Sequence, residues 1–332
     1  MKIGYLGTGT WGFTLSCLLA SKGHQVILWG KESQLMKQLF STREHPRFPG
    51  YVAPEGVVFT PHLELVVQGS DVLVESVSSV GVRPVFLKLA QLGRITCPIV
   101  LTSKGVEKDS CLLLPEVVLD VLGASYRSLL GCLSGPSHAE EVIQKLPASV
   151  VASAYDRETM FFIRELFSTP LFRVYPNEDI HGVAFGGAMK NIIAVACGLS
   201  DGLTLGDNAK AALMTRGLHE MRRLSVVKEA KPDTLNGLSG LGDLFVTCLS
   251  RHSRNYRFGY LLSKGISTEE AQQEIGMVVE GCYTAISALQ LAKRHDIQVP
   301  ITKAVHSILY EALHPQEAVR LLLDRPIREE YL

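Results

Sequence analysis

"KIGYLGTGTWG", residues 2–12, begins as a short apolar run and then sets glycines at positions 7, 9 and 12. Alone, G-x-G-x-x-G is a weak signal, because glycine marks any tight turn. Its surroundings here are those of a dinucleotide-binding turn. A strand precedes it, the helical stretch "WGFTLSCLLASKG" (11–23) follows, and "QVILW" (25–29) supplies a second strand about 20 residues on. Gly7 permits the turn, Gly9 lets the backbone approach a pyrophosphate, and Gly12 allows helix and strand to pack closely. The free amides at the helix start favour that anion.

Working outward, short β-rich runs alternate with amphipathic stretches: "VVF" (57–59), "DVLVESV" (71–77), "PIVLTS" (98–103), "LLGCLS" (129–134), "SVVASAYD" (149–156) and "LFRVYP" (171–176). The strands up to residue 134 are nearly continuous Val, Ile and Leu, as expected when both faces of a parallel sheet are covered, and 149–156 and 171–176 extend the β/α pattern. Helical stretches such as 11–23 and 81–93 end on Gly23 and Gly93, where a C-cap favours glycine. From Asp179 onward almost everything has helical spacing, including 208–230, 267–276, 283–297 and 315–325. Ser267 with Glu270 forms a capping box. The expected architecture is a Rossmann-type α/β domain over 1–178 followed by an all-α domain over 179–332, as in 6-phosphogluconate dehydrogenase-like folds.

The chain has 332 residues, 46% hydrophobic, with 33 basic and 33 acidic side chains. A net charge of zero argues against a nucleic-acid binder that relies on a broad basic face. Seven scattered cysteines contain no C-x-x-C pair, which indicates neither a disulfide framework nor a zinc site and fits a reducing cytosol. His138, His181, His219 and His252 lack metal-ligand spacing. The N-terminus leaves no room for a signal segment, and no uninterrupted run reaches about 18 apolar residues, so no membrane span is expected. The oligomeric state is not fixed, and a homodimer stays open.

Several positions carry chemistry. Lys104 of "TSKG" and Ser137 of "SGPSHAEE" fall at carboxyl ends of strands, where ligands bind in open α/β folds. Lys104 could equally be a solvated loop lysine, and Ser137 a helix N-cap that also touches a ligand. Lys190 of "GGAMKN" sits among apolar residues and glycines. Unless it snorkels, burial lowers its pKa toward the range useful for proton transfer. Asn191 beside it has no packing role. Gly186 and Gly187 would admit another backbone or a cofactor. Asp243, in "GLGDLF", needs a partner such as Lys190. Ser253, Arg254 and Asn255 form a helix start with a hydroxyl, a guanidinium and an amide, suited to a phosphate. After the second strand, Lys31 favours a cofactor 2′-phosphate while Glu32 leaves room for NAD.

"GTGTWG", "TSKG", "SGPSHAEE", "GGAMKN", "GLGDLFVTCLSRHSRN" and "VVEG" occur in the order seen in bacterial NAD(P)-dependent sn-glycerol-3-phosphate dehydrogenases, which the chain resembles over nearly its whole length. The resemblance implies interconversion of dihydroxyacetone phosphate and sn-glycerol 3-phosphate with NADH or NADPH, supplying phospholipid synthesis in the cytoplasm. It implies that Lys190 exchanges a proton with the substrate C2 oxygen. It also implies a substrate cluster of Lys104, Gly135, Ser137, Lys190 and Asp243 with Ser253, Arg254 and Asn255. Cofactor contacts are implied at Thr10, Trp11, Lys31 and Lys104, and at Ala139, Arg254, Val278 and Glu280. Lys190 is then held by Asp243 and Asn191. β-Hydroxyacid and 6-phosphogluconate dehydrogenases also place a lysine on the first helix after the α/β domain, but "HSRN" with "GLGDLF" favours glycerol phosphate. A nucleotide sensor of the same fold would need no proton donor.

Overall fold

The apolar runs of the first half pair into one eight-stranded sheet in the computed structural model, which describes residues 1–31, 33–327 and 329–330. The strands are β1 (Lys2–Leu6), β2 (Gln25–Trp29), β3 (Val57–Thr60), β4 (Val72–Glu75), β5 (Ile99–Leu101), β6 (Leu130–Ser134), β7 (Ala148–Ala154) and β8 (Phe172–Asn177). Their order is β3-β2-β1-β4-β5-β6-β7-β8. In register, Leu6 lies opposite both Trp29 and Glu75, Glu75 opposite Leu101, and Leu101 opposite Cys132. The carboxyl ends of β1, β2, β4, β5 and β6 therefore line one edge, the edge on which open α/β sheets bind ligands.

The sheet is parallel through β6, but β7 runs antiparallel to β6, and β8 follows β7. Connection length explains the reversal. A parallel return must carry the chain back along a five-residue strand, about 16 Å. The only helix between β6 and β7 is Ala139–Ile143, and five helical residues cover only about 7.5 Å. The chain re-enters from the edge it left.

The helical half is organised around Ile180–Gly202, whose residues are almost all buried. Asp207–Ser225, Asp243–Leu249, Arg254–Ser263, Glu280–Arg294 and Pro300–Tyr310 pack against it. Apolar character all round belongs to a helix with neighbours on every side. Among the described residues this is the one helix long and apolar enough to cross a bilayer, and 94% of that stretch is buried inside the protein. It is a core helix, interrupted by Lys190 and Asn191. The two halves share side chains: Val106, Cys111 and Leu113 pack into the helical core, whereas Ile180 and Val183 pack against the sheet.

Local signals are met at several ends. The helices Thr10–Ser21 and Ser79–Gln91 are followed by Gly23 and Gly93, both with positive φ. The Ser267–Glu270 capping box is formed. The helix expected over 208–230 stops at Ser225, after which Val226–Lys228 tighten into a 3-10 turn ending on left-handed Glu229. Glu32 lies outside the described residues.

Candidate active site

The midpoint of the core helix carries Lys190 into the interior at 7% exposure, so the lysine does not snorkel. Its Nζ donates to Asp243 Oδ1 at 2.5 Å and to Thr247 Oγ1 at 2.8 Å. Asp243 opens the helix Asp243–Leu249, and Thr247 lies one turn on, on the same face. Asp243 Oδ2 accepts from Lys104 Nζ at 2.6 Å. Lys104 follows β5, and its ammonium also donates to Gly135 O at 3.0 Å and Ser137 Oγ at 3.3 Å.

Two ammoniums thus meet around one fully buried carboxylate. Burial pushes the Lys190 ammonium down to about 7; Asp243 opposes that shift and Lys104 adds to it. Two ammoniums against one carboxylate leave a surplus positive charge away from water, which an incoming anion or a lost proton relieves.

Several side chains take roles that differ from those expected. Ser137 caps no helix; its hydroxyl donates to Gly135 O at 2.8 Å, and the short helix beyond it is preceded by His138. Asn191 does not hold Lys190. Its Oδ1 accepts from Asn255 Nδ2 at 2.9 Å, and Asn255 Oδ1 in turn accepts from Gly281 N at 2.8 Å. Ser253 caps its own helix by accepting from Tyr256 N at 3.2 Å. Of the expected phosphate trio, Ser253 and Asn255 are therefore committed to protein partners. Arg254 donates through Nη1 to Val278 O at 3.0 Å. Gly186 faces the backbone of Ser239 and Gly240, and Gly187 faces Ser134 Oγ and the Lys104 side chain. What approaches these two glycines is protein.

Farther along the same edge, the glycine turn after β1 opens onto a cavity of about 410 Å³. Gly7 has φ +111°, and a Cβ on Gly12 would come within 2.0 Å of Gly7 O. Gly9 is different: a Cβ there would meet no protein atom within 4 Å, and its φ of −63° suits any residue. Nothing in the protein asks for glycine at that position, whereas a phosphate against its backbone would. The cradle therefore fits a dinucleotide.

Among the expected cofactor residues, Gly7, Gly9 and Lys31 line the cavity. Thr10 and Trp11 begin the following helix, and the Trp11 ring packs 6.4 Å from that of Phe172. Ala139 is buried in the sheet core. Glu280 accepts from Ser79 N at 3.2 Å and Ser79 Oγ at 2.5 Å, tying the helical half to the start of the helix after β4. Burial raises the Glu280 pKa. β1 and β5 are separated only by β4, so the glycine turn and Lys104 stand about 10 Å apart across the edge.

Sequence reasoning missed Thr247, although its place four residues after Asp243 was a usable signal. It also missed the cavity wall formed by Val77, Val80, Gly81, Val85 and Lys88. Glu75 was missed as well. It is wholly buried at the end of β4, accepts from Val77 N and Ser103 Oγ at 2.6 Å each, and is pushed by burial up to about 7.

The family models described as the N-terminus and C-terminus of NAD-dependent glycerol-3-phosphate dehydrogenase match residues 2–160 and 179–320. A protein of Protochlamydia amoebophila named glycerol-3-phosphate dehydrogenase (NAD(P)+) is 56% identical, covering 100% of this chain and 99% of that protein. A Chlamydia pneumoniae protein of the same name is 53% identical over 99% of each. The crystal structure of glycerol-3-phosphate dehydrogenase from Coxiella burnetii superposes with a TM-score of 0.93 at 41% identity, covering 98% of this chain and 99% of that one.

Proposed function

Since the chain belongs to the NAD-dependent glycerol-3-phosphate dehydrogenase family, we propose that its buried lysine pair runs the proton half of the family reaction. The protein is an NAD(P)-dependent oxidoreductase acting on a CH–OH group, interconverting dihydroxyacetone phosphate and sn-glycerol 3-phosphate. A bound nicotinamide supplies or receives the hydride.

Lys190 gives a proton to the C2 carbonyl oxygen during reduction and takes it back during oxidation. The observation that carries this role is the Lys190–Asp243 contact at 2.5 Å in a buried setting that lowers the lysine's pKa to about 7, near the optimum for acid–base work at neutrality. Asp243 and Thr247 hold the ammonium in place. Lys104 adds positive charge beside the developing alkoxide.

Gly135, Ser137, Ser253, Arg254 and Asn255 form the remainder of the substrate site in this reading. Arg254 supplies the guanidinium for the phosphate; Ser253 and Asn255 act by fixing the helix that carries it. On the cofactor side, the turn of Gly7, Gly9 and Gly12 receives the pyrophosphate. Thr10, Trp11, Lys31, Lys104, Ala139, Arg254, Val278 and Glu280 complete that side. The division at 178/179 separates a dinucleotide domain from a substrate domain. The glycerol 3-phosphate formed serves glycerophospholipid synthesis in the cytosol, a setting supported by seven free cysteines.

The test is oxidation of reduced dinucleotide by the purified protein with dihydroxyacetone phosphate, set beside 6-phosphogluconate and β-hydroxyacids with the oxidised dinucleotides. Turnover confined to the triose phosphate is expected. Equal or greater turnover of a carboxylated substrate would reject the assignment.

A further inference from the structure

We propose that Lys88 is a specificity-determining residue of the cofactor site: a second cation that, with Lys31, selects a dinucleotide bearing a 2′-phosphate on its adenosine ribose. The inference rests on the glycine turn holding a dinucleotide and extends it to which one.

The sheet order sets the walls. β1 lies between β2 and β4, so the turn at Gly7–Gly9 is flanked on one side by the end of β2 and on the other by the segment after β4. Lys31 stands two residues beyond Trp29, the last residue of β2, where the adenosine ribose of a Rossmann-bound dinucleotide lies. The opposite wall is one face of the helix Ser79–Gln91: Val80 and Gly81, then Pro84 and Val85, then Lys88. Three- and four-residue steps stack these positions along the helix axis. The first two levels are apolar, as the flat face of an adenine requires. The third is a cation, about 13 Å along the axis from the helix start.

The lining therefore combines this apolar helix face and the small hydroxyls of Thr8, Ser76 and Ser78 with a cation on each of two walls. Lys31 and Lys88 are the charged side chains on the wall among the described residues, and no described carboxylate lines it. Both lysines are exposed, and neither forms an ion pair among the described residues. Two ammoniums on the lining of one cavity of about 410 Å³, neither of them paired with a carboxylate among the described residues, suit a dianionic phosphate. They offer a bare 2′-hydroxyl little, because its hydrogen bond needs only one partner.

Binding can be read without catalysis, since both tryptophans of the chain are at hand. Trp29 lines the cavity and Trp11 follows the glycine turn. The native protein, Lys31→Ala, Lys88→Ala and Lys88→Arg are titrated with NADPH and separately with NADH, following tryptophan quenching. The native protein should bind NADPH the tighter. Lys88→Ala should weaken NADPH about 10-fold while leaving NADH within about twofold, and Lys88→Arg should keep the preference. Equal weakening of both dinucleotides by Lys88→Ala, no weakening of either, or native binding of NADH as tight as NADPH would overturn the role of Lys88. Binding of neither dinucleotide by the native protein would instead reject the glycine-turn reading beneath it.

Discussion

Lys104 and Lys190 donate to opposite oxygens of one buried carboxylate, Asp243, at 2.6 and 2.5 Å. One lysine follows a strand of the sheet and the other sits mid-helix in the second half, so the carboxylate joins the two halves at the site itself. The arrangement divides the labour electrostatically: Asp243 raises the Lys190 pKa, and Lys104 lowers it.

That division sets a pH signature. Lys190 must be an ammonium to reduce the ketone and an amine to oxidise the alcohol. With its pKa lowered to about 7, kcat/KM for reduction should fall as pH rises through neutrality, and that for oxidation should rise. Asp243→Asn removes the influence that raises the pKa and should move both limbs to lower pH; Lys104→Met should move them higher. Lys190→Ala should fold and bind dinucleotide yet lose roughly 10²–10⁴ in turnover. Initial rates across neutral pH check all of this, and near-normal turnover by Lys190→Ala would refute the role.

The glycine turn separates packing from ligand contact. Gly12→Ala puts a Cβ 2.0 Å from Gly7 O, which backbone atoms cannot relieve, so it should lower Tm. Gly9→Ala meets no protein atom within 4 Å and has an ordinary φ, so it should melt like the native protein but bind dinucleotide more weakly. Thermal melts beside binding titrations decide. A Gly9→Ala variant with native affinity would show that nothing approaches that backbone.

The Asn191–Asn255–Gly281 chain of hydrogen bonds is structural support, distinct from the proton machinery. Asn191→Ala strands the Asn255 amide in a buried position and should cost about 1–3 kcal/mol. Because Asn191 does not touch Lys190, the pH at which the rate limbs turn should stay where it is. Denaturant unfolding and the pH profile together test this. An unchanged stability, or a displaced limb, would contradict it.

Glu75 should make stability fall as pH rises from about 4.5 to about 7. Its carboxyl is raised by burial to about 7 from an ordinary 4.5, so between those values the folded state holds a proton that the unfolded chain releases. Stability is then lost as pH climbs through that window. Glu75→Gln removes the titration. Its Tm relative to native should be lowest near pH ~5, rise to about pH 7 and then level off. A difference that does not change with pH would mean that Glu75 titrates normally.

The sequence alone determined what depends on a few neighbouring residues. The turn at Gly7–Gly12, the strand runs, the glycines after the helices, the Ser267–Glu270 box and a mid-helix lysine in need of a counter-charge were all legible in it. Tertiary structure decided what depends on where distant segments cross. Lys104 meets Asp243 across 139 positions and Lys190 meets it across 53. The turning of Asn191 toward Asn255 rather than Lys190, and the placing of Lys31 and Lys88 on the wall of one cavity, follow from the same crossings. Helix and strand periodicity is written by interactions within a turn or two, so it can be read locally. A side chain's partner is chosen by burial and by which groups the packed elements bring within about 3 Å, and no spacing along the chain encodes that.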